Sequence, residues 1–218
     1  MFYGMEPGQV AEFDAALQKM WRIFPRHFSS DMLITFSRNM GFLEDPAYRF
    51  IPAARREFWL TTARGDRQRS DEQEMREGLR KVEEFTRLYA KAGGRIIAGP
   101  DSGPSSGPAN MAGYAMHVEM EALVDAGLTP MQAILSATRW PAELLRKEKD
   151  LGTIAPGKVA DVIVVDGNPL ADIRKTRNIR TVIANGKVVD TTLDPRFRNP
   201  IPRPVHEYPM DMPDAPAN

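Results

Sequence analysis

The residue with the clearest potential for chemistry follows a short apolar segment in the middle of the chain. Residues 95–104 have the sequence RIIAGPDSGP, which places Asp101 after the apolar segment and within a run of Gly, Pro and Ser. A carboxylate at the carboxyl end of a buried strand is a typical way for a barrel enzyme to hold a metal ion or a general base. One carboxylate cannot complete a zinc site, because zinc takes about three protein ligands.

The chain offers few partners for such a site. It contains no cysteine and three histidines, His27, His117 and His206, none of which forms an HxH pair. The lack of cysteine excludes thiolate ligands, disulfides and a cysteine nucleophile, and it fits a reducing compartment. His117 is a candidate for orienting a substrate near the Asp101 loop. A histidine beside an apolar helix face is, however, more often a packed or surface residue.

Composition is that of an ordinary soluble domain. The 218 residues are long enough to bury one sizeable core, and 42% of them are hydrophobic and 27% charged. Lys plus Arg and Asp plus Glu are both 29, so no electrostatic argument favours nucleic acid or an anionic membrane as a partner. The first ten residues lack the basic and apolar regions of a signal peptide. We therefore expect a cytoplasmic protein that binds neither nucleic acid nor membrane.

The elements around Asp101 alternate between helix and strand. An apolar stripe predicts a helix over residues 8–24. A second helix is predicted from Ser70, which forms a capping box with Gln73, to Lys91, where two glycines end it. The strand 95–99 follows at once. Helix, tight turn, strand, loop and helix is the order typical of a parallel α/β architecture.

Three further helices are predicted after the Asp101 loop. The first covers residues 116–126 and is closed by Gly127. The second runs from Thr129, which forms a capping box with Gln132 ahead of a helix-initiating proline, to about residue 137. A third, short helix is predicted over residues 141–147.

From residue 151 the chain becomes rich in β-forming residues. Strands are predicted over residues 159–165, 181–184 and 187–189, with Asn185-Gly186 as a hairpin turn between the last two. Asp161 is predicted to bond backbone groups in this region. Residues 194–218 are proline-rich and are predicted to be an extended tail. The expected division is therefore 1–150, 151–193 and 194–218.

Three blocks of sequence resemble the amidohydrolase superfamily, in the branch of imidazolonepropionase-like and Xaa-Pro dipeptidase-like metal-dependent hydrolases. AGPDSG at residues 98–103 is similar to the family's segment at the end of the eighth barrel strand. HVEMEALVDAGLTPMQAILSATRWPAELL at residues 117–145 resembles the following helix pair. LGTIAPGKVADVIVVDGNPLADI at residues 151–173, with VIANGKVV at 182–189, resembles the return into a flanking β-sandwich. Their shared order makes the resemblance specific.

The resemblance implies an α/β fold, the C-terminal part of a (β/α)8 TIM-type barrel followed by a small β-sandwich module. It also implies a divalent metal, with zinc expected, and hydrolysis of a C–N bond in an amide, cyclic amide or dipeptide. In that scheme Asp101 ligates the metal and takes the proton from metal-bound water. Glu119 matches a carboxylate of the family helix and is expected to be structural.

The chain departs from the family pattern in ways that bear on activity. The family's HxH pair, its carboxylated lysine or glutamate and its strand-borne histidines have no counterparts, and Pro100 replaces the threonine before the aspartate. The sequence therefore predicts a C-terminal fragment or truncated member whose site is completed by another chain. The alternative is a non-catalytic remnant or interaction module. In either case we expect a homo-oligomer or a complementary chain as partner, because a partial barrel exposes strand edges and apolar helix faces.

Overall fold

A computed structural model of the chain describes residues 2–3, 57, 72–100 and 113–192. Its helices and strands follow one another as a helical half and a β half. In chain order they are β1 (Phe2–Tyr3), α1 (Glu72–Lys91), β2 (Arg95–Ile96), α2 (Tyr114–Asp125), α3 (Pro130–Ala137), α4 (Arg139–Leu144), β3 (Val162–Val165), a 3-10 helix (Ile173–Arg177), β4 (Ile179–Ala184) and β5 (Lys187–Val189). The predicted helix over residues 8–24, the proline-rich tail and the Ser70 cap lie outside the described residues.

Helix α1 confirms the second predicted helix and its glycine stop. Gly93 has a φ of 84°, a conformation that glycine adopts without a Cβ penalty. The Gly94 N–H donates to the carbonyl of Tyr89 at 3.0 Å and so satisfies one of the last carbonyls of the helix. The buried ring of Tyr89 stacks on Phe85 with 6.1 Å between centroids. The turn therefore directs the chain from α1 straight into β2.

Strand β2 is shorter than the strand predicted over residues 95–99, and its described partner is antiparallel. Phe2 pairs with Ile96 and Tyr3 with Arg95. The strand ends at Ile96, and two residues on, the Ala98 N–H bonds to a carbonyl of α3. The described residues contain helices and strands in the expected mixture, and the parallel barrel stays a prediction.

One core joins α1, β2, α2, α3 and the 3-10 helix. Its fully buried members are Tyr89, Ile96, Ala98, Met120, Leu123, Leu128, Ala133 and Ile173. Ile173 is the member that comes from the β half of the chain. The 3-10 helix is therefore part of the hydrophobic core, and it fastens the β half to α2.

Helix α3 begins with the predicted capping box. The Thr129 Oγ1 accepts from the Gln132 N–H at 3.2 Å, and the Gln132 Oε1 accepts from the Thr129 N–H at 2.8 Å. The predicted start of the next helix was wrong, since α4 begins at Arg139 and not at Pro141. A proline is tolerated there because the first-turn N–H groups of a helix have no intrahelical acceptor.

The β half is a three-stranded antiparallel sheet in the order β3-β4-β5. Asn185 and Gly186, with φ values of 48° and 76°, form the predicted turn between β4 and β5. The first strand begins at Val162, not at Val159, because Val159 donates its N–H at 2.9 Å to the carbonyl of Asp150 in the preceding loop. The predicted β-sandwich stays a prediction, since the described residues after 150 form a single sheet.

No helix in the described part of the chain is long and apolar enough to cross a membrane.

Candidate functional site

Asp101, the predicted catalytic base and metal ligand, lies outside the described residues. The structure does show how the strand that precedes it is held. The Ala98 N–H donates to the carbonyl of Ser136 on α3 at 3.1 Å, and both residues are buried. The carboxylate of Glu143 on α4 accepts from Arg95 on β2 and from the Nε of Arg139, the latter at 2.6 Å. Strand β2 is thus tied to α4, and the segment that follows it is tied to α3.

His117 on the first turns of α2 is half-buried and contacts the 3-10 helix. Its Nδ1 lies 3.0 Å from the Oγ1 of Thr176. The Thr176 hydroxyl donates its one proton to the carbonyl of Ile173 at 2.8 Å. The hydroxyl oxygen must therefore accept from the imidazole, which assigns the proton of a neutral His117 to Nδ1 and leaves the lone pair on Nε2.

The surroundings of His117 favour this neutral form. Burial lowers the pKa of His117, and the positive charge of Arg177 lowers it further. A neutral imidazole with its lone pair on Nε2 can accept a proton or a hydrogen bond at that atom. The arrangement is compatible with the predicted role of His117 in substrate binding, which stays a prediction.

Arg177 contacts two residues of α2 that flank His117 in sequence. Its guanidinium carbon lies 4.9 Å from the centroid of the Tyr114 ring, a cation–π geometry. It also forms an ion pair with Glu121, in which the side chains are only 24% and 16% exposed. Tyr114 and Glu121 both belong to α2. Arg177 therefore contacts the same helix that Thr176 contacts through His117. We call these five residues, Tyr114, His117, Glu121, Thr176 and Arg177, the α2 joint.

Thr176 and Arg177 were not among the residues that the sequence predicted for a site. The stretch that contains them, IRKTR, has no helical or strand periodicity of its own. One signal was available: the side chain of Asp172 accepts from the Arg174 N–H at 3.1 Å, an Asx cap that an aspartate before a short polar segment can indicate. That signal predicts a turn, and it does not predict the partner helix.

The predicted structural residues have the following positions. Glu119 is 2% exposed on α2. Asp161 accepts a backbone N–H from the β4-β5 turn, which confirms its predicted role. His27 and His206 lie outside the described residues. Of the predicted site residues, the structure therefore places His117 alone.

A metal site is not formed by the described residues. Within residues 72–100 and 113–192, no three His, Asp or Glu side chains are grouped so that they could hold a metal ion. The carboxylate of Glu121 on the same helix is paired with Arg177. These side chains do not fit a zinc site, which needs about three protein ligands.

Comparison with known proteins identifies relatives of this region. The model of the Amidohydrolase family matches residues 67–189, which is more than half of the chain. Adenine deaminase 4 of Rhizobium meliloti (strain 1021) is 45% identical over 62 residues, 28% of this chain and 9% of that enzyme. The adenine deaminase of Rubrobacter xylanophilus is 34% identical over 71 residues, 32% of this chain and 12% of that enzyme.

A solved structure is similar over a longer stretch. A Xaa-Pro dipeptidase with methionine bound in its active site is 33% identical to this chain, with a TM-score of 0.45. The likeness covers 54% of this chain and 28% of the dipeptidase. The chain thus matches only about a tenth of the length of the two deaminases, 9% and 12%.

Proposed function

The chain belongs to the amidohydrolase family, and on that premise we propose that it serves in the hydrolysis of a carbon–nitrogen bond. The observation that carries this proposal is the extent of the family match, residues 67–189, which includes Asp101 and the whole α2 joint. Deamination of adenine and cleavage of an Xaa-Pro dipeptide, the reactions for which the similar proteins are named, both break a C–N bond. The substrate is accordingly a small molecule with an amide, cyclic amide, dipeptide or aminopurine group.

Asp101 is the proposed catalytic residue. Hydrolysis of a C–N bond requires a group that accepts a proton from the attacking water and returns it to the leaving nitrogen. A carboxylate after a buried strand suits both tasks. His117, with its lone pair on Nε2, is the proposed substrate-binding residue.

Family members are generally metal-dependent, so a divalent metal, zinc by expectation, belongs to the proposal. The described side chains do not fit such an ion. Its ligands would be Asp101 together with residues beyond the described ones or on another chain.

The proposed architecture follows from the same membership. Residues 1–150 would contribute the last strands and helices of a (β/α)8 barrel, residues 151–193 a small β module, and residues 194–218 a tail. The alternation of α1, β2 and α2 supports the first assignment, and the sheet β3-β4-β5 supports the second. A cytoplasmic location is part of the proposal.

Removing the Asp101 carboxylate tests the function. The full chain, Asp101→Ala and Asp166→Ala would be equilibrated with zinc, freed of loose metal, and assayed for zinc content and for amine or ammonia release. The substrates would be adenine, an Xaa-Pro dipeptide and a cyclic amide. Asp166 is a matched control because its carboxylate is exposed and pairs with Arg180 at the surface. We expect zinc and turnover to be lost in Asp101→Ala alone.

A chain that neither retains zinc nor releases amine with any of these substrates would contradict the enzymatic proposal. Retention of zinc by the wild type and Asp101→Ala alike would show that Asp101 is not a ligand. Unchanged turnover in Asp101→Ala would show that it is not the base.

A second candidate function is association with another chain without catalysis. Ile163 of β3 and Val189 of β5 lie on one face of the sheet and are 51% and 41% exposed. Exposed apolar rows of this kind favour contact with a second surface. In sedimentation at increasing concentration, Ile163→Glu should weaken self-association. Ile154→Glu is the control, because Ile154 is 86% exposed outside the strands. A monomer at every concentration would contradict this candidate.

A further inference from the structure

The strongest unexplained feature of the described residues is the polar contact that joins α2 to the β half. The hydrogen bond from His117 to Thr176 spans 59 residues of sequence. It lies beside the ion pair of Arg177 with Glu121 and the stacking of Arg177 on Tyr114. A contact that is only structural could be made from apolar groups. This one contains an imidazole, whose charge changes within the physiological pH range.

We infer that His117 makes the α2 joint sensitive to acid, so that the neutral imidazole holds the 3-10 helix on α2 and the protonated imidazole loosens it. The inference goes beyond the proposed hydrolysis and does not depend on it. It rests on two geometrical facts: the partial burial of the ring at its contact with Thr176, and the contacts of Arg177 with Tyr114 and Glu121, which flank His117 on α2. The Nδ1–H remains a donor when the imidazole is protonated, so the loosening comes from the added charge.

The charges around His117 decide the direction of the effect. On α2 itself the ionisable neighbours are Tyr114, Glu119, Glu121 and Asp125, and on the 3-10 helix and its cap they are Asp172, Arg174, Lys175 and Arg177. Helix α3, with the sequence PMQAILSA, contributes no charged side chain. Helix α1 places Glu83 near Asp125, two turns further along α2.

Existing ion pairs leave the new charge poorly compensated. Glu121 is paired with Arg177, and Asp172 is paired with Arg174 at 2.8 Å. Protonation of His117 therefore adds a second cation beside Arg177 in a partly desolvated place. Burial and Arg177 together lower the pKa of His117 below its usual value. The folded chain thus binds the proton less readily than the unfolded chain does.

The sign of the pH dependence follows from this difference. The unfolded state binds more protons than the folded state between the lowered folded pKa and the ordinary histidine pKa. The joint is therefore fully stabilised above the ordinary histidine pKa, about 6.5, and it weakens as pH falls through the folded pKa. Because the 3-10 helix leads directly into β4, loosening of the joint should also release the sheet.

Backbone hydrogen exchange of the full chain tests the inference. After correction for the intrinsic rate, exchange in residues 173–189 should accelerate severalfold between about pH 7 and pH 5, on either side of the ordinary histidine pKa. His117→Asn keeps a nitrogen donor close to the position of Nδ1 but cannot titrate, and its exchange should not respond to pH. The matched control is the double variant His27→Asn with His206→Asn, which removes the other histidines of the chain. It should respond as the wild type does.

Two outcomes would overturn the inference. One is that hydrogen exchange in His117→Asn responds to pH as it does in the wild type. The other is that the pH response of exchange is lost in the control variant. A measurement on the wild type keeps the test valid if His117→Asn fails to fold. The nitrogen chemical shifts of His117 should show the Nδ1–H tautomer at neutral pH and a pKa below the ordinary value. A raised or unchanged pKa would contradict it.

Discussion

The carboxylate of Asp161 accepts a hydrogen bond from the backbone N–H of Asn185 at 2.6 Å. The two residues are 24 apart in sequence, and Asn185 is the first residue of the β4-β5 turn. The neighbouring Gly186 N–H donates at 3.0 Å to the carbonyl of Ala160. The segment before β3 therefore secures the turn of a different strand pair, so that one side chain helps to set the register of the whole sheet.

Asp161→Ala should lower the free energy of unfolding by about 1 kcal/mol, since the N–H of Asn185 loses a charged acceptor. Asp166→Ala is the control, because its exposed pair with Arg180 at 3.3 Å should contribute about 0.5 kcal/mol or less. Urea titration of both variants measures the difference. Equal losses would mean that the Asp161 bond adds nothing beyond an ordinary surface contact.

Gly152 lies in the loop after α4 in a left-handed conformation that favours glycine. Its φ is 84°, and an added Cβ would lie 2.8 Å from the Cβ of Ala142 and 2.9 Å from the Cα of Arg139. Gly157 has nearly the same φ, 86°, with nothing within 4 Å of an added Cβ. Gly157→Ala should cost about 1 kcal/mol through backbone strain alone. Gly152→Ala should cost about 2 kcal/mol more through overpacking.

Thermal or urea unfolding of the two alanine variants separates these effects. Because the φ angles are matched, the difference in unfolding free energy reports the steric contact of Gly152 with Arg139 and Ala142 of α4. A cost for Gly152→Ala no greater than that for Gly157→Ala would show that the loop moves away from α4 without penalty.

Local signals in the sequence predicted the parts of the fold that depend on neighbouring residues. The Thr129–Gln132 capping box, the glycine stop at Gly93 and the turn at Asn185 each require residues at most three positions apart, and all three are present. The predicted start of α4 was wrong because proline is accepted throughout the first turn of a helix. Pro141 therefore did not mark the first helical residue.

The candidate site could be predicted less well, because its contacts join residues that are far apart in the sequence. The bond from His117 to Thr176 joins elements that no periodicity connects, and the sequence around Thr176 predicts no more than a turn. The antiparallel pairing of β1 with β2 was missed for the same reason, since a two-residue strand carries too little pattern to specify a partner. Similarity to the family motif indicated Asp101 as a site residue, but similarity alone does not give the distances from Asp101 to other side chains.

Glu143 is expected to be the most important carboxylate for the attachment of β2. It accepts from Arg139 at 2.6 Å and from Arg95, and its side chain is 18% exposed. Glu143→Gln removes the charge from both bonds and should cost about 1–2 kcal/mol in unfolding free energy. Glu84→Gln, which breaks an exposed pair with Arg87 within one helix, should cost about 0.3 kcal/mol. Similar values for the two variants would argue against a role for Glu143 in holding β2.

Glu83 on α1 should destabilise the chain at neutral pH. Burial raises its pKa, and the negative charge of Asp125 on α2 raises it further. The folded state therefore binds a proton more readily than the unfolded state, and stability falls as pH rises from the ordinary glutamate pKa through the folded one. Glu83→Gln should raise the melting temperature at about pH 7 and leave it nearly unchanged at about pH 3, where the glutamate is protonated in both states. A lower melting temperature at neutral pH would mean that the carboxylate makes a favourable contact that outweighs its burial and its repulsion by Asp125.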